Sequence, residues 1–293
     1  MKILNFGSLN IDHVYKVDHF VRPGETLQSK GYRQYCGGKG QNQSIALAHA
    51  GANVSHAGRI GPDGLILKER LTAAKVDTRF VEIIESASGH AVIQVNREGE
   101  NAIIIHGGAN QTIDARAAEK VVAAFSAGDY LLLQNEISAI PEIIQIAAAK
   151  GLQIIFNPAP MTAAVEDYPL DSVNMFVLNE IEGQELTDET EPEAILMGMQ
   201  YRFAKAQTIL TLGKNGARYI DHSQRLKVAA PKVRVVDTTA AGDTFIGYLL
   251  AELARKRPIV SALETACQAA ALCVTRSGAV DSIPTLHDLN EVT

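Results

Sequence analysis

The stretch Val236-Asp237-Thr238-Thr239-Ala240-Ala241-Gly242-Asp243-Thr244-Phe245 joins a β-type run to a helix. Ahead of the join, residues 233–237 are rich in β-branched side chains. Behind it, Phe245, Ile246, Leu249, Leu250 and Leu253 recur at helical spacing until Pro258. A strand that feeds a helix through a turn of small residues is the building unit of a helix-covered parallel sheet. Small side chains at 240–242 let the backbone approach a ligand closely. The helix N-terminus offers unpaired N–H groups and the positive end of a dipole, which suit a phosphate. Asp243 is then out of place. Either it caps the helix, or it accepts a proton from an attacking hydroxyl.

The same alternation extends through the second half of the chain. Strands are expected at 130–134, 152–157, 174–178 and 208–212, with helices at 140–150, 181–186 and 192–205. Such continuous apolar strands call for burial on both faces. Ser261-Ala262-Leu263-Glu264 predicts a capping box opening an Ala-rich helix that runs through Leu272 and stops near Gly278. The first half differs. Residues 2–8 read as a buried strand, 11–35 mix polar and apolar positions around a Pro23-Gly24 turn, and 90–96 and 101–106 read as a hairpin. The expected organisation is an α/β core from residues 1–10, 37–87 and 107–293, with a β-sheet lid from 11–36 and 88–106.

With 293 residues, 46% of them hydrophobic, the chain can bury a large core. A net charge of −6 without a basic stripe argues against nucleic acid or an anionic membrane as partner. The short cluster Arg255-Lys256-Arg257 ends a helical pattern, where it complements the dipole. Cys36, Cys267 and Cys273 form no C-x-x-C pair, so no zinc site or disulfide framework is readable. With no secretory signal pattern and no long apolar run, a cytoplasmic location is expected. The N-x-[ST] triplets at Asn42, Asn53 and Asn110 are then chance matches.

Four further segments carry chemistry. Gly37-Gly38-Lys39-Gly40-Gln41-Asn42-Gln43 is a glycine-rich turn into a helix that lacks the P-loop spacing. Lys39 and Asn42 there suit a polyol or a phosphate. Asn10 and Asp12 follow the first strand two residues apart and so share a side, as a pair that holds vicinal hydroxyls or as an Asx turn. Asn179 and Glu182 open a helix, either as its cap or as groups that hold Mg²⁺ through its waters. Thr211-Leu212-Gly213-Lys214-Asn215-Gly216 is a tight turn between two strand-like runs.

In this order, with Pro23-Gly24-Glu25-Thr26, Gly108-Ala109-Asn110, Asn157-Pro158-Ala159-Pro160 and Ser282-Ile283-Pro284, these segments resemble the ribokinase-like sugar kinases of the PfkB carbohydrate kinase family from Gly7 to Pro284. The resemblance implies a three-layer α/β/α sandwich with a mostly parallel sheet, a small β-sheet lid and a homodimer formed through the lids. It implies ATP-dependent phosphorylation of a small sugar at a primary hydroxyl, D-ribose foremost, with deoxyribose, a ketohexose or a nucleoside as rivals. Asp243 would be the base, and Ala240, Ala241, Gly242 and Asp243 the anion hole. Asn10, Asp12, Gly38, Lys39, Asn42 and Glu136 would bind the sugar. Asn179, Thr211, Gly213, Gly216 and Gly242 would bind the nucleotide, and Glu182 would organise Mg²⁺. Asp237, Thr239, Cys273, Arg276, Gly278 and Ser282 would surround K⁺. The sequence departs from the family pattern at Ile60-Gly61-Pro62-Asp63-Gly64-Leu65 and at Asn135 beside Glu136. Two other classes compete. A non-catalytic sugar binder has no need of Asp243, and a nicotinamide oxidoreductase would want a G-x-G-x-x-G after the first strand, which is missing.

Overall fold

The computed structural model describes residues 1–292. Nine strands form the larger sheet: β1 (Ile3–Phe6), β4 (Val54–Ile60), β5 (Asp77–Ile83), β8 (Tyr130–Gln134), β9 (Gln153–Asn157), β10 (Met175–Asn179), β11 (Gln207–Thr211), β12 (Ala217–Ile220) and β13 (Arg225–Val228). Their order is β13-β12-β11-β10-β9-β8-β1-β4-β5. All pairings are parallel except those of β12 with its two neighbours.

Alternate residues of the apolar strands go to opposite faces. Ile3, Leu132, Ile155, Val177 and Ile209 join one core. Their neighbours Leu4, Leu131, Phe156, Phe176 and Leu210 join the other. The first core is closed by α1 (Lys39–His49), α2 (Leu65–Ala73), α7 (Ala241–Ala254) and α8 (Ile259–Cys273). The second is closed by α3 (Ala115–Val122), α4 (Ile140–Lys150), α5 (Glu180–Thr187) and α6 (Pro192–Arg202). A short α9 (Leu286–Val292) ends the described chain. Burial on both faces is why these strands carry no polar side.

The second sheet has four strands, β2 (Asn10–Lys16), β3 (Gly31–Gly37), β6 (Gly89–Val95) and β7 (Asn101–His106), in the order β3-β2-β6-β7. The hairpin read at 90–106 is the antiparallel β6–β7 pair. On β7, Ile103, Ile104 and Ile105 are 49%, 68% and 65% exposed.

Two expectations fail. Residues 233–237 form no strand. Their β-branched composition mimics one, but β12 and β13 already close that edge of the sheet, and Val233, Val235 and Val236 lie exposed. The helix expected to open at Ser261 begins at Ile259 with Pro258 at its N-cap and no side-chain cap, because proline's fixed φ already suits a helix entrance. The departing segment 60–65 makes a 3₁₀ turn, Pro62–Gly64, ahead of α2. Its Asp63 accepts hydrogen bonds from Ser88 N and Oγ at 3.0 and 2.8 Å, fastening this turn to the approach to β6.

Candidate active site

Asp243 sits in the first turn of α7, and the N-cap is Ala240, with φ 60° and no side-chain cap. The capping role for Asp243 is thereby removed. Its carboxylate is 7% exposed and points to α1 instead, where Asn42 Nδ2 donates to Oδ2 and Gln43 Nε2 to Oδ1, both at 2.9 Å. Close packing of α1 on α7 makes this possible. A Cβ on Gly247, one turn beyond Asp243, would stand 2.3 Å from the Cβ of Ala46, one turn beyond Asn42. Ala240 to Asp243 line the adjoining cleft. Ala241 N–H already donates to the Thr238 carbonyl at 3.3 Å, so it is engaged before any anion arrives.

The sugar-facing candidates gather around the start of α1. Gly38, with φ +91°, turns the chain from β3 into that helix, a conformation costly for any other residue. The Lys39 backbone N–H donates to Glu136 Oε2 at 2.9 Å, and Ser8 Oγ donates to the same oxygen. Burial works against the Lys39 ammonium, yet the charges of Asp243, Glu136 and Glu182 hold its pKa above the usual lysine value. Burial raises the Glu136 carboxyl despite Lys39. Burial, with the Glu136 charge behind it, raises Asp12 to about 6. Asn10 is tied back into the fold, its Oδ1 accepting from Asn110 Nδ2 at 2.7 Å.

The cleft continues past Asn157, Asn179, Glu182, Thr211 and Gly242, with Lys39 at one side, and its volume is about 240 Å³. Asn179 and Glu182 realise the capping alternative: Glu182 N donates to Asn179 Oδ1 at 3.0 Å, and Asn179 N to Glu182 Oε2 at 2.9 Å. Glu182 still lines the cleft, and burial raises its pKa. Both roles are compatible, since the cap fixes the carboxylate toward the cleft. Gly213 and Gly216 flank the turn after β11 and do not line this cleft.

The six residues grouped for a monovalent cation divide. Asp237 accepts from Thr239 N and Oγ1 at 2.9 and 2.7 Å and from Gly278 N at 3.0 Å. Cys273 Sγ lies 3.7 Å from the Thr239 carbonyl oxygen and 3.2 Å from Ser282 Oγ. These five residues meet. The Arg276 side chain instead pairs with Asp288 of α9 at 3.1 Å. No cluster of three or more His, Cys, Asp or Glu among the described residues is arranged to hold a metal ion.

Several polar residues without a role assigned from sequence belong to the same region. Ser8 and Asn110 brace the sugar-facing end, and Asn157 lines the cleft and accepts from Gln43 Nε2 at 3.3 Å. Asn135 turns from the pocket: it donates to the Pro160 carbonyl at 2.7 Å and accepts from Tyr168 Oη at 3.0 Å. Asn42 and Asn110 are 6% and 1% exposed, which bars both as glycan acceptors in the folded chain.

A family model described as pfkB family carbohydrate kinase matches residues 1–286. A ribokinase of Staphylococcus aureus is 34% identical, the match covering 99% of each chain. The structure of a ribokinase from Cryptococcus neoformans in complex with ADP superposes with a TM-score of 0.90 at 33% identity, over 100% of this chain and 99% of that one. A ribokinase of Arabidopsis thaliana complexed with ribose and ATP gives a TM-score of 0.88 at 28% identity, over 99% and 97%.

Proposed function

The chain belongs to the pfkB family of carbohydrate kinases, and from that premise we propose that it transfers the γ-phosphoryl group of ATP to the primary 5-hydroxyl of D-ribose. The observation that carries this reading is the buried Asp243 carboxylate, held by two amide donors at the head of an uncapped helix. A residue serving only to cap or to bind has no reason to occupy that place. The acceptors and donors of Asn10, Asp12, Lys39 and Glu136 suit the hydroxyls of a small free sugar, and a nucleoside would require an apolar or aromatic seat for its base.

In the reaction, Asp243 accepts the proton of the attacking hydroxyl as the new O–P bond forms. The bond from the γ-phosphorus to the bridging oxygen breaks, and ADP leaves. The N–H groups of Gly242 and Asp243 at the head of α7 face the charge that develops on the transferring oxygens, and the Lys39 ammonium adds to that field. Asn179, Thr211 and Gly242 hold the nucleotide, with Gly213 and Gly216 shaping the turn beside it. Glu182, buried and fixed by Asn179, fits a carboxylate that holds Mg²⁺ through water, and the ion supplies charge neutralisation at the phosphates. Asp237, Thr239, Cys273, Gly278 and Ser282 form the seat proposed for K⁺, with backbone carbonyls as donors. The small sheet acts as the lid that excludes water, its residues 11–36 and 88–106 forming one unit. The apolar edge at Ile103, Ile104 and Ile105 is where a second copy's lid would sit. A cytoplasmic location completes the reading.

The experiment is ADP release from protein, ATP and Mg²⁺ on adding D-ribose, with and without K⁺, beside a panel of deoxyribose, ketohexoses and nucleosides. Ribose is expected to give the highest kcat/KM, and K⁺ to raise it. Faster turnover of another acceptor overturns the choice of sugar, and indifference to K⁺ removes the cation seat.

A further inference from the structure

The Asp243 carboxylate ends a longer chain of hydrogen bonds. While Gln43 Nε2 donates to Asp243 at 2.9 Å, Gln43 Oε1 accepts from Gln134 Nε2 at 2.6 Å. Gln134 Nε2 has a second acceptor, Asn5 Oδ1, at 2.9 Å. Asn5 Nδ2 in turn donates to the Gly40 carbonyl at 2.7 Å and to Ser44 Oγ at 2.8 Å. Ser44 Oγ lies 2.8 Å from His56 Nδ1. Asn5, Gln43, Ser44, His56 and Gln134 are all completely buried.

Each amide has one workable orientation. Reversed, Gln134 would set its carbonyl against those of Gln43 and Asn5. Reversed, Gln43 would set its carbonyl against the Asp243 carboxylate. Gln134 is therefore a divide from which donors run two ways: through Gln43 to Asp243, and through Asn5 and Ser44 to the imidazole nitrogen of His56. Burial drives the His56 pKa down to about 3, so the ring is neutral, and with its proton on Nε2 its Nδ1 accepts from Ser44 Oγ. Gln134 gives both amide protons, and its own buried Oε1 has no partner among the described residues.

We propose that Gln134 and Gln43 are positioning residues for the phosphoryl transfer, locking the Gln43 amide with its N–H toward Asp243. This rests on Asp243 being the base. The lock holds the carboxylate at a fixed angle, leaving a lone pair for the hydroxyl proton. The other titratable groups facing Asp243 are Lys39 of α1, Glu136 after β8, Glu182 of α5 and Cys273 of α8. Gln134 touches none of them in the hydrogen-bond network and lines no part of the cleft.

The test is Gln134→Met, which keeps the volume and removes the donor. Turnover with ribose is expected to fall by about tenfold or more, a part of the 10²–10⁴ range of general-base catalysis, while KM for ribose and ATP stays within about twofold. In a Gln43→Met background, adding Gln134→Met should change nothing further, since one residue acts through the other. If Gln134→Met fails to fold, Asn5→Val serves: it removes the second acceptor, with a smaller loss of kcat and KM again unmoved. An unmoved kcat in a folded variant, a loss that falls on KM instead, or independent losses that multiply in the double variant, overturns the proposal. Asp243→Asn separates the two readings. If it keeps turnover, the base assignment has failed. If it is inactive while Gln134→Met behaves as wild type, only the lock has failed.

Discussion

The two sheets treat their side chains in opposite ways. In the larger one, each apolar residue of the central strands is buried against helices on one face or the other. The smaller one keeps much of its apolar surface exposed, with Ile104 at 68%. The difference divides the labour. The large sheet and its helices hold Asp243 between two amide donors, while the small sheet carries Asp12 on β2.

The sharpest way to break this division is Asp243→Asn. Binding of ATP and sugar, followed by calorimetric titration, should stay near normal. The rate of ADP release should drop by at least ~10²-fold, the low end for loss of a general base. Near-normal turnover would leave the large sheet without its chemical task. On stability, Leu131→Ala in the large sheet should cost about 2–5 kcal/mol. Ile104→Ala on β7 should stay within about 0.5 kcal/mol for the isolated subunit. Urea denaturation compares them, and equal losses would refute the contrast. Gly247→Ala belongs with the first of these: the added methyl should push α7 off α1, lowering both Tm and kcat, whereas damage to stability alone would show that the helix spacing does not tune Asp243.

Asp12 sharpens the comparison from the other side. Asp12→Asn should raise KM for ribose by about ten- to a hundredfold, the effect of a hydrogen bond to a charged group, with KM for ATP unmoved. In the wild type, KM for ribose should climb as pH falls through about 6, where Asp12 takes up its proton. The stability effect has the opposite sense. A carboxyl whose folded pKa lies above its unfolded value penalises the fold fully above about 6 and not at all below the ordinary 3.8. Asp12→Asn should therefore melt higher than wild type at pH 8, the gap closing toward pH 4. A gap that is constant with pH would mean the charge plays no part.

Much of the architecture is legible in the chain because the central strands are continuously apolar and the helices between them periodic. The edges are not. Residues 233–237 carry the right side chains for a strand and have no partner, while β13, with Arg225 and Lys227 among its residues, carries a weak signal and is paired. Propensity reports on side chains, and pairing depends on which edge is vacant. At the site, residues inside punctuated motifs are visible: Lys39, Asn42, Asn179, Glu182 and Asp243 all converge. Asn5, Gln134 and His56 are invisible as a group because their partners lie far away in sequence, Gln134 being 129 residues from Asn5. Their one local signal is a polar side chain set in an apolar strand.

Asp12 and Glu136 have a consequence for the resting enzyme. One acid rides on the small sheet and the other follows β8 of the large one. Bringing the sheets together over an empty site compresses two like charges in a place that water is leaving. Sugar hydroxyls donating to both carboxylates would relieve that repulsion, so that on the proposed reading the substrate itself would favour the approach of the two sheets.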